Sequence, residues 1–128
     1  MPETRKGRAL FAPLAAVLAL AYPAAAAPAP QRVVSMNLCT DEMAMLIAAP
    51  GQLYSVSYLA ADPGSSVLAT QAGGYAVNHG LAEEIFLMQP DLVIAGTYTT
   101  RSTVTLLRRL GFRVEEFAPE NSFDDIRA

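Results

Sequence analysis

The stretch GLAEEIFLMQPDLVIAG, residues 80–96, decides the fold. Its second half, DLVIAG, is an apolar run without polar alternation. Strands covered by other elements on both faces read this way, and they belong to parallel sheets. Ahead of it, LAEEIFLM reads as a short helix. On a wheel advancing about 100° per residue, Leu81, Ile85 and Met88 fall within roughly 60° of one another and form the expected buried stripe. Glu83 falls about 200° from Leu81 and points to solvent, while Glu84 falls on the flank at about 300°. Phe86 and Leu87 fit that stripe less well and are expected to meet neighbouring loops. The two acids open the first helical turn, where each stabilises the helix by ~0.3–1 kcal/mol through the positive helix end. An exposed acid at a domain rim also steers a basic partner, because rim charges set association rate and partner choice.

Working outward, TTRSTVTLLRRLG reads as a helix with Val104, Leu107 and Leu110 on one side. Arg108 and Arg109 complement its negative end and Gly111 stops it. FRVEEF follows as a strand, and NSFDDIRA begins a helix capped by Ser122 or Asn121. Towards the N-terminus, RVVSM (32–36) is a short β-branched strand. NLCTDEMAMLIAAPG is a turn and then a helix, with Thr40 as the expected N-cap and Asp41 and Glu42 in the first turn. Met43, Leu46 and Ile47 recur along it at helical spacing, and Pro50-Gly51 ends it. QLYSVSYL (52–59) is a second strand, and the segment from Ala60 to Gly80 is loop-rich, with a helical turn near Ser65 to Thr70 and a turn at Gly73-Gly74.

Strand and helix therefore alternate, which specifies an α/β domain with a mainly parallel sheet flanked by helices. Open parallel sheets bind ligands beyond the carboxyl ends of their strands. Here those ends fall at Asn37 to Cys39, at Tyr58-Leu59 and at Gly96 to Tyr98.

Composition narrows the function. The chain has 128 residues, 52% hydrophobic and 16% charged, enough for one domain plus an apolar segment. That segment is at the start: Arg5, Lys6 and Arg8, then an uncharged stretch from Leu10 to Tyr22, then small residues. Its apolar core spans roughly 20 Å as a helix, short of the ~30 Å of bilayer hydrocarbon. It reads as a secretory signal peptide over residues 1–26, followed by a flexible Pro/Ala leader at 27–31. Without residues 1–26, which hold three basic and one acidic residue, six Lys and Arg remain against eleven Asp and Glu, a net charge of −5. An acidic exported domain does not suit nucleic acid. Cys39 is the single cysteine, so no intrachain disulfide forms; it reads as a small buried thiol in a turn. His79 is the single histidine, without the second His or spaced Cys of a metal centre, and reads as a structural residue or a loop contact. There is no Gly-x-Ser-x-Gly elbow, no Gly-x-Gly-x-x-Gly loop and no Gly-x-x-x-x-Gly-Lys, so no cofactor is expected.

RVVSMNLCTDEMAMLIA, YSVSYLAADP, GLAEEIFLMQPDLVIAG and LLRRLGFRV together resemble the periplasmic substrate-binding proteins of ABC importers for cobalamin, ferric siderophores and haem. The resemblance runs over about residues 32–128. It implies a helix-linked protein of two lobes, with residues 32–120 as the N-terminal α/β lobe and 121–128 as the start of the linker helix. By resemblance the chain captures a metal chelate in the periplasm and passes it to a membrane permease. Glu83 matches the acid that docks on permease arginines, with Glu84 as its neighbour. Cleft-lining positions map to Asn37, Leu38 and Cys39 after the first strand and to Tyr58 after the second. They map also to Val77, with Tyr75 nearby, before the docking helix, where some cobalamin binders place a large aromatic residue. Tyr98, after DLVIAG, joins this set.

On this reading the protein is a monomeric binding module rather than an enzyme, it has no second lobe in the given sequence, and half a cleft binds weakly. An exported α/β hydrolase using His79 as its base, or an interaction module without transport activity, are the alternatives.

Overall fold

A computed structural model describes residues 27–127; the expected signal peptide lies outside the described residues. Five strands form one sheet: β1 (Val33–Ser35), β2 (Leu53–Ser57), β3 (Ala76–Asn78), β4 (Leu92–Gly96) and β5 (Val114–Phe117). They lie in the order β3-β2-β1-β4-β5, and every neighbouring pair is parallel. Four α-helices connect them: α1 (Leu38–Ile47), α2 (Ala69–Ala72), α3 (Ala82–Met88) and α4 (Arg101–Arg109).

Chain direction explains the layers. From β1 the chain steps outward to β2 and β3, then crosses back to β4 and β5. Right-handed crossovers in opposite directions put their helices on opposite faces. α3 and α4 accordingly cover one face, where Ile85 and Leu107 are fully buried among Val34, Val93, Ala95 and Val114. Burial of each such side chain is worth ~1.5–3 kcal/mol. α1 and α2 cover the other face, over Val33, Leu53, Val56, Ala60 and Ala72.

That second face is incompletely covered. Between α1 and the sheet runs an apolar trough of about 310 Å³, with Met43 and Ile47 on one bank and Leu92, Ile94 and Phe117 on the other. Here the structure corrects the sequence. Thr40, Asp41, Ala44 and Met45 are the buried residues of α1, whereas Met43, Leu46 and Ile47 are 57%, 70% and 79% exposed.

Two helix-boundary signals act as expected. After α4, Gly111 adopts φ 90°, its N–H bonds the Arg108 carbonyl at 3.0 Å, and the Phe112 N–H bonds the Leu107 carbonyl at 3.1 Å. This is a Schellman closure, which glycine adopts without strain. The expected Ser122 cap accepts from the Asp125 N–H at 3.1 Å, though only a short 3₁₀ turn, Asp125–Arg127, follows it.

Other local readings change. The N-cap of α1 is Asn37, whose Oδ1 accepts from the Cys39 N–H at 3.0 Å, not Thr40. Thr40 instead donates to the Asn37 carbonyl and accepts from Ser35, 2.8 Å away. Cys39 is exposed on the first turn rather than buried. Leu81 is the N-cap of α3 and 53% exposed, so Ala82 takes its expected buried place beside Ile85. Leu110, expected on the buried side of α4, is 49% exposed at its C-cap. β3 is a strand where the sequence suggested only loop. The leader is tied down at its end: Asp91 accepts from the backbone N–H groups of Gln31 and Arg32 at 2.6 and 2.9 Å, and the Pro30 carbonyl accepts from Gln52 at 2.8 Å. The Pro-Asp step of the opening stretch is thus a clasp between the entries of β1 and β4.

Candidate functional site

All five strands end at the same edge of the sheet, and the direction of winding reverses between β1 and β4. Such a switch point leaves a crevice, because the two following loops turn away from each other. The loops here are Met36-Asn37 and Thr97 to Thr100. They are in close contact: a Cβ placed on Gly96 would lie 3.0 Å from Asn37 Cγ. Glycine at 96 is therefore what lets the Asn37 amide sit over the end of β4. Tyr98 stands beyond it, 86% exposed on the β4 turn.

The edge continues past β2 and β3. Tyr58 begins the 3₁₀ turn after β2, half-exposed, and its ring stacks on the His79 ring with centroids 5.4 Å apart and planes at 20°. His79 follows β3 and is held by Glu84. The Glu84 carboxylate accepts from the His79 backbone N–H at 2.7 Å and meets its Nδ1 at 3.0 Å. The bond from the His79 backbone N–H holds the Glu84 carboxyl below its ordinary value. The ionised carboxylate orients the imidazole.

Beneath this edge lies a buried polar layer that the sequence did not announce. Asn78 is fully buried, and its Nδ2 reaches the Ser35 carbonyl at 2.8 Å, Ser55 Oγ at 2.9 Å and the Val56 carbonyl at 3.0 Å. Its Oδ1 accepts from the Gly80 N–H at 3.1 Å. One amide thus binds the ends of β1, β2 and β3 to the turn that opens α3. Asp41, also fully buried, accepts from Ser57 Oγ at 2.5 Å and from the Ser57 N–H at 3.2 Å. Desolvation raises its carboxyl above the ordinary value, and the bonds from serine oppose that only in part.

The sequence-expected residues divide by place. Asn37, Leu38, Cys39, Tyr58 and Tyr98 follow β1, β2 and β4 at the carboxyl edge. Val77 is 42% exposed on the edge strand β3. Tyr75 precedes β3 at the opposite end and packs against the apolar cluster under α1 and α2. Of the glutamates, Glu83 is exposed, and among the described residues no ion pair engages it. Glu84 is occupied by His79. The stacking of Tyr58 on His79 had no signal in the sequence, because the two lie on different connections and meet only when β3 pairs with β2. Among the described residues no group of three or more His, Cys, Asp or Glu is placed to hold a metal ion. Nor is any helix there long and apolar enough to cross a membrane.

No family model and no curated protein matches the chain. Solved structures do. The periplasmic vitamin B12 binding protein BtuF of Vibrio cholerae matches at 27% identity and TM-score 0.58, covering 76% of this chain and 37% of that one. A periplasmic haem-binding protein from Pseudomonas aeruginosa matches at 21% identity and TM-score 0.53, over 75% of this chain and 34% of that one. The haem-binding protein HutB of Vibrio cholerae matches at 20% identity and TM-score 0.51, over 68% and 33%. The last two show a shared fold. This chain spans about a third of the length of each of these proteins. The five-stranded parallel sheet, its flanking helices and these matches make the chain an α/β unit with the N-terminal-lobe fold of the periplasmic vitamin B12- and haem-binding proteins.

Proposed function

We propose that this chain is the N-terminal lobe of a periplasmic substrate-binding protein, the capture component of an ABC importer for cobalamin or an iron chelate such as a siderophore or haem. The observation that carries this reading is the match to the vitamin B12 binding protein BtuF over 76% of the chain at 27% identity. The carboxyl edge supports it, since Asn37, Tyr58 and Tyr98 offer an amide and two tyrosines to a flat, partly polar ligand. The role is binding without turnover. His79 is committed to Glu84 and Tyr58, neither of them the nucleophile a hydrolase base would activate. Export through the signal peptide brings the lobe to the periplasm as a monomer, and Glu83 docks it on the permease.

Isothermal titration of the purified chain with cyanocobalamin, haemin and a ferric hydroxamate tests the reading. High affinity needs a ligand enclosed on most sides, and this edge supplies one wall. Binding at tens of micromolar or weaker to one of the three is expected, with loss on replacing Tyr58 by Ala. No binding of any of them at millimolar concentration overturns the reading, and submicromolar binding overturns the one-wall argument.

A further inference from the structure

The face formed by α3 and α4 carries a groove of about 370 Å³ lined by Ala82, Glu83, Phe86, Leu87, Leu106 and Leu110. Phe86 and Phe112 meet edge to face, with centroids 5.9 Å apart and planes at 85°, which fixes one wall. Four of the lining residues are large apolar side chains left in water: Phe86 at 43%, Leu87 at 79%, Leu106 at 43% and Leu110 at 49% exposure. The Glu83 carboxylate belongs to the same lining.

We infer that this groove is the apolar half of the permease-docking surface, and that it receives a permease segment carrying a large apolar side chain within one helical turn of an arginine or lysine. The inference rests on the transport reading and extends it. Charge complementarity selects the cation, because a lone carboxylate at the edge of an apolar slot attracts a basic group and repels an acidic one. Size selects an anchor rather than a face. Six residues line the slot, against ~20–30 a side in a stable protein pair, so the groove seats one anchor within a wider contact. A few large side chains seated in a dry slot, ringed by neutral contacts, carry most of the energy of such an interface.

Site-specific photocrosslinking in the native host tests this. A benzoylphenylalanine is placed at Leu106 in the groove, at Leu87 on its bank beside Glu83, or at Val67 on the distant loop. The expected result is an adduct from Leu106 and Leu87 to an integral-membrane permease, mapped to a peptide with Arg or Lys within four residues of a large apolar residue. Val67 should give none, and adding Glu83→Lys should lower the adduct yield at least tenfold. An adduct to the permease from Leu87 but not from Leu106 overturns the groove while leaving docking through Glu83 intact. An adduct from Leu106 to a second copy, or to another part of the same polypeptide, overturns it too. Silence at both groove positions overturns docking by this face altogether.

Discussion

At the residue scale, the polar layer beneath the strand ends matters more than any exposed side chain. Asn78 offers its two N–H groups to three buried acceptors and its oxygen accepts one bond, so both donors are used and neither end of the amide is unpaired. Asn78→Ala should leave several buried backbone and hydroxyl groups unpaired and destabilise the fold by about 1–3 kcal/mol, read from urea unfolding. Asn78→Asp should do no better, because a carboxylate cannot donate to the Ser35 and Val56 carbonyls.

Asp41 sets a pH signature. An acid whose carboxyl is raised on folding binds its proton more tightly when folded than when unfolded. Its contribution to stability is therefore greatest below the ordinary value near 3.8 and falls as pH rises through the raised one. Glu84 and Asp91 act with the opposite sign. Backbone N–H groups hold them low, so their contributions are present at neutral pH and lost as acid protonates them. Asp41→Asn, which keeps the shape and can still pair with Ser57, should remove this fall in the urea midpoint as pH rises above the ordinary carboxyl value. At Gly96 a methyl group would meet the Asn37 amide at 3.0 Å. Gly96→Ala should push Asn37 off the β4 end and weaken ligand binding more than it lowers stability, measured by titration beside thermal melting.

At the scale of elements, what the sequence revealed depended on how many faces each element buries. β4 was legible because it carries no polar residue between Leu92 and Gly96, although Leu92 and Ile94 are only partly covered where they line the trough. α4 was legible because its buried pair, Val104 and Leu107, stands out against polar and basic neighbours. β3 was not, since three residues at the sheet edge show no period that a loop would lack. α1 misled for a different reason. Its packed side uses Thr40, Asp41 and Ala44, small or polar residues that meet the sheet closely, while its bulkiest aliphatics face outward. A pattern rule assumes that hydrophobic means buried, and a surface built to be covered by something else breaks it. A pair of substitutions checks the observed orientation. Met45→Ala should cost ~2–5 kcal/mol and Leu46→Gln should change stability by less than about 0.5 kcal/mol. Had the sequence-expected stripe been the buried one, the order would reverse. Of the candidate site, the residues directly after β1, β2 and β4 were readable, because strand ends follow from strand boundaries. The partnership of His79 with Tyr58 and Glu84 was not, because it depends on strand pairing.

At the scale of the whole molecule, the sheet is finished on one face and open on part of the other. Met43, Ile47 and Phe117 stand 57%, 79% and 51% exposed around the trough beside α1. Exposed apolar patches of this kind mark surfaces made for contact. The lobe should bind the dye 1-anilinonaphthalene-8-sulfonate while keeping a cooperative thermal transition, and Phe117→Ser should weaken dye binding without lowering the melting temperature. The lifetime of the lobe in solution then becomes a matter of collisions. Crowding rather than heat governs its survival. Loss of clear supernatant in storage should accelerate with the square of protein concentration, far below the melting point, and a single serine on that bank should slow the clock.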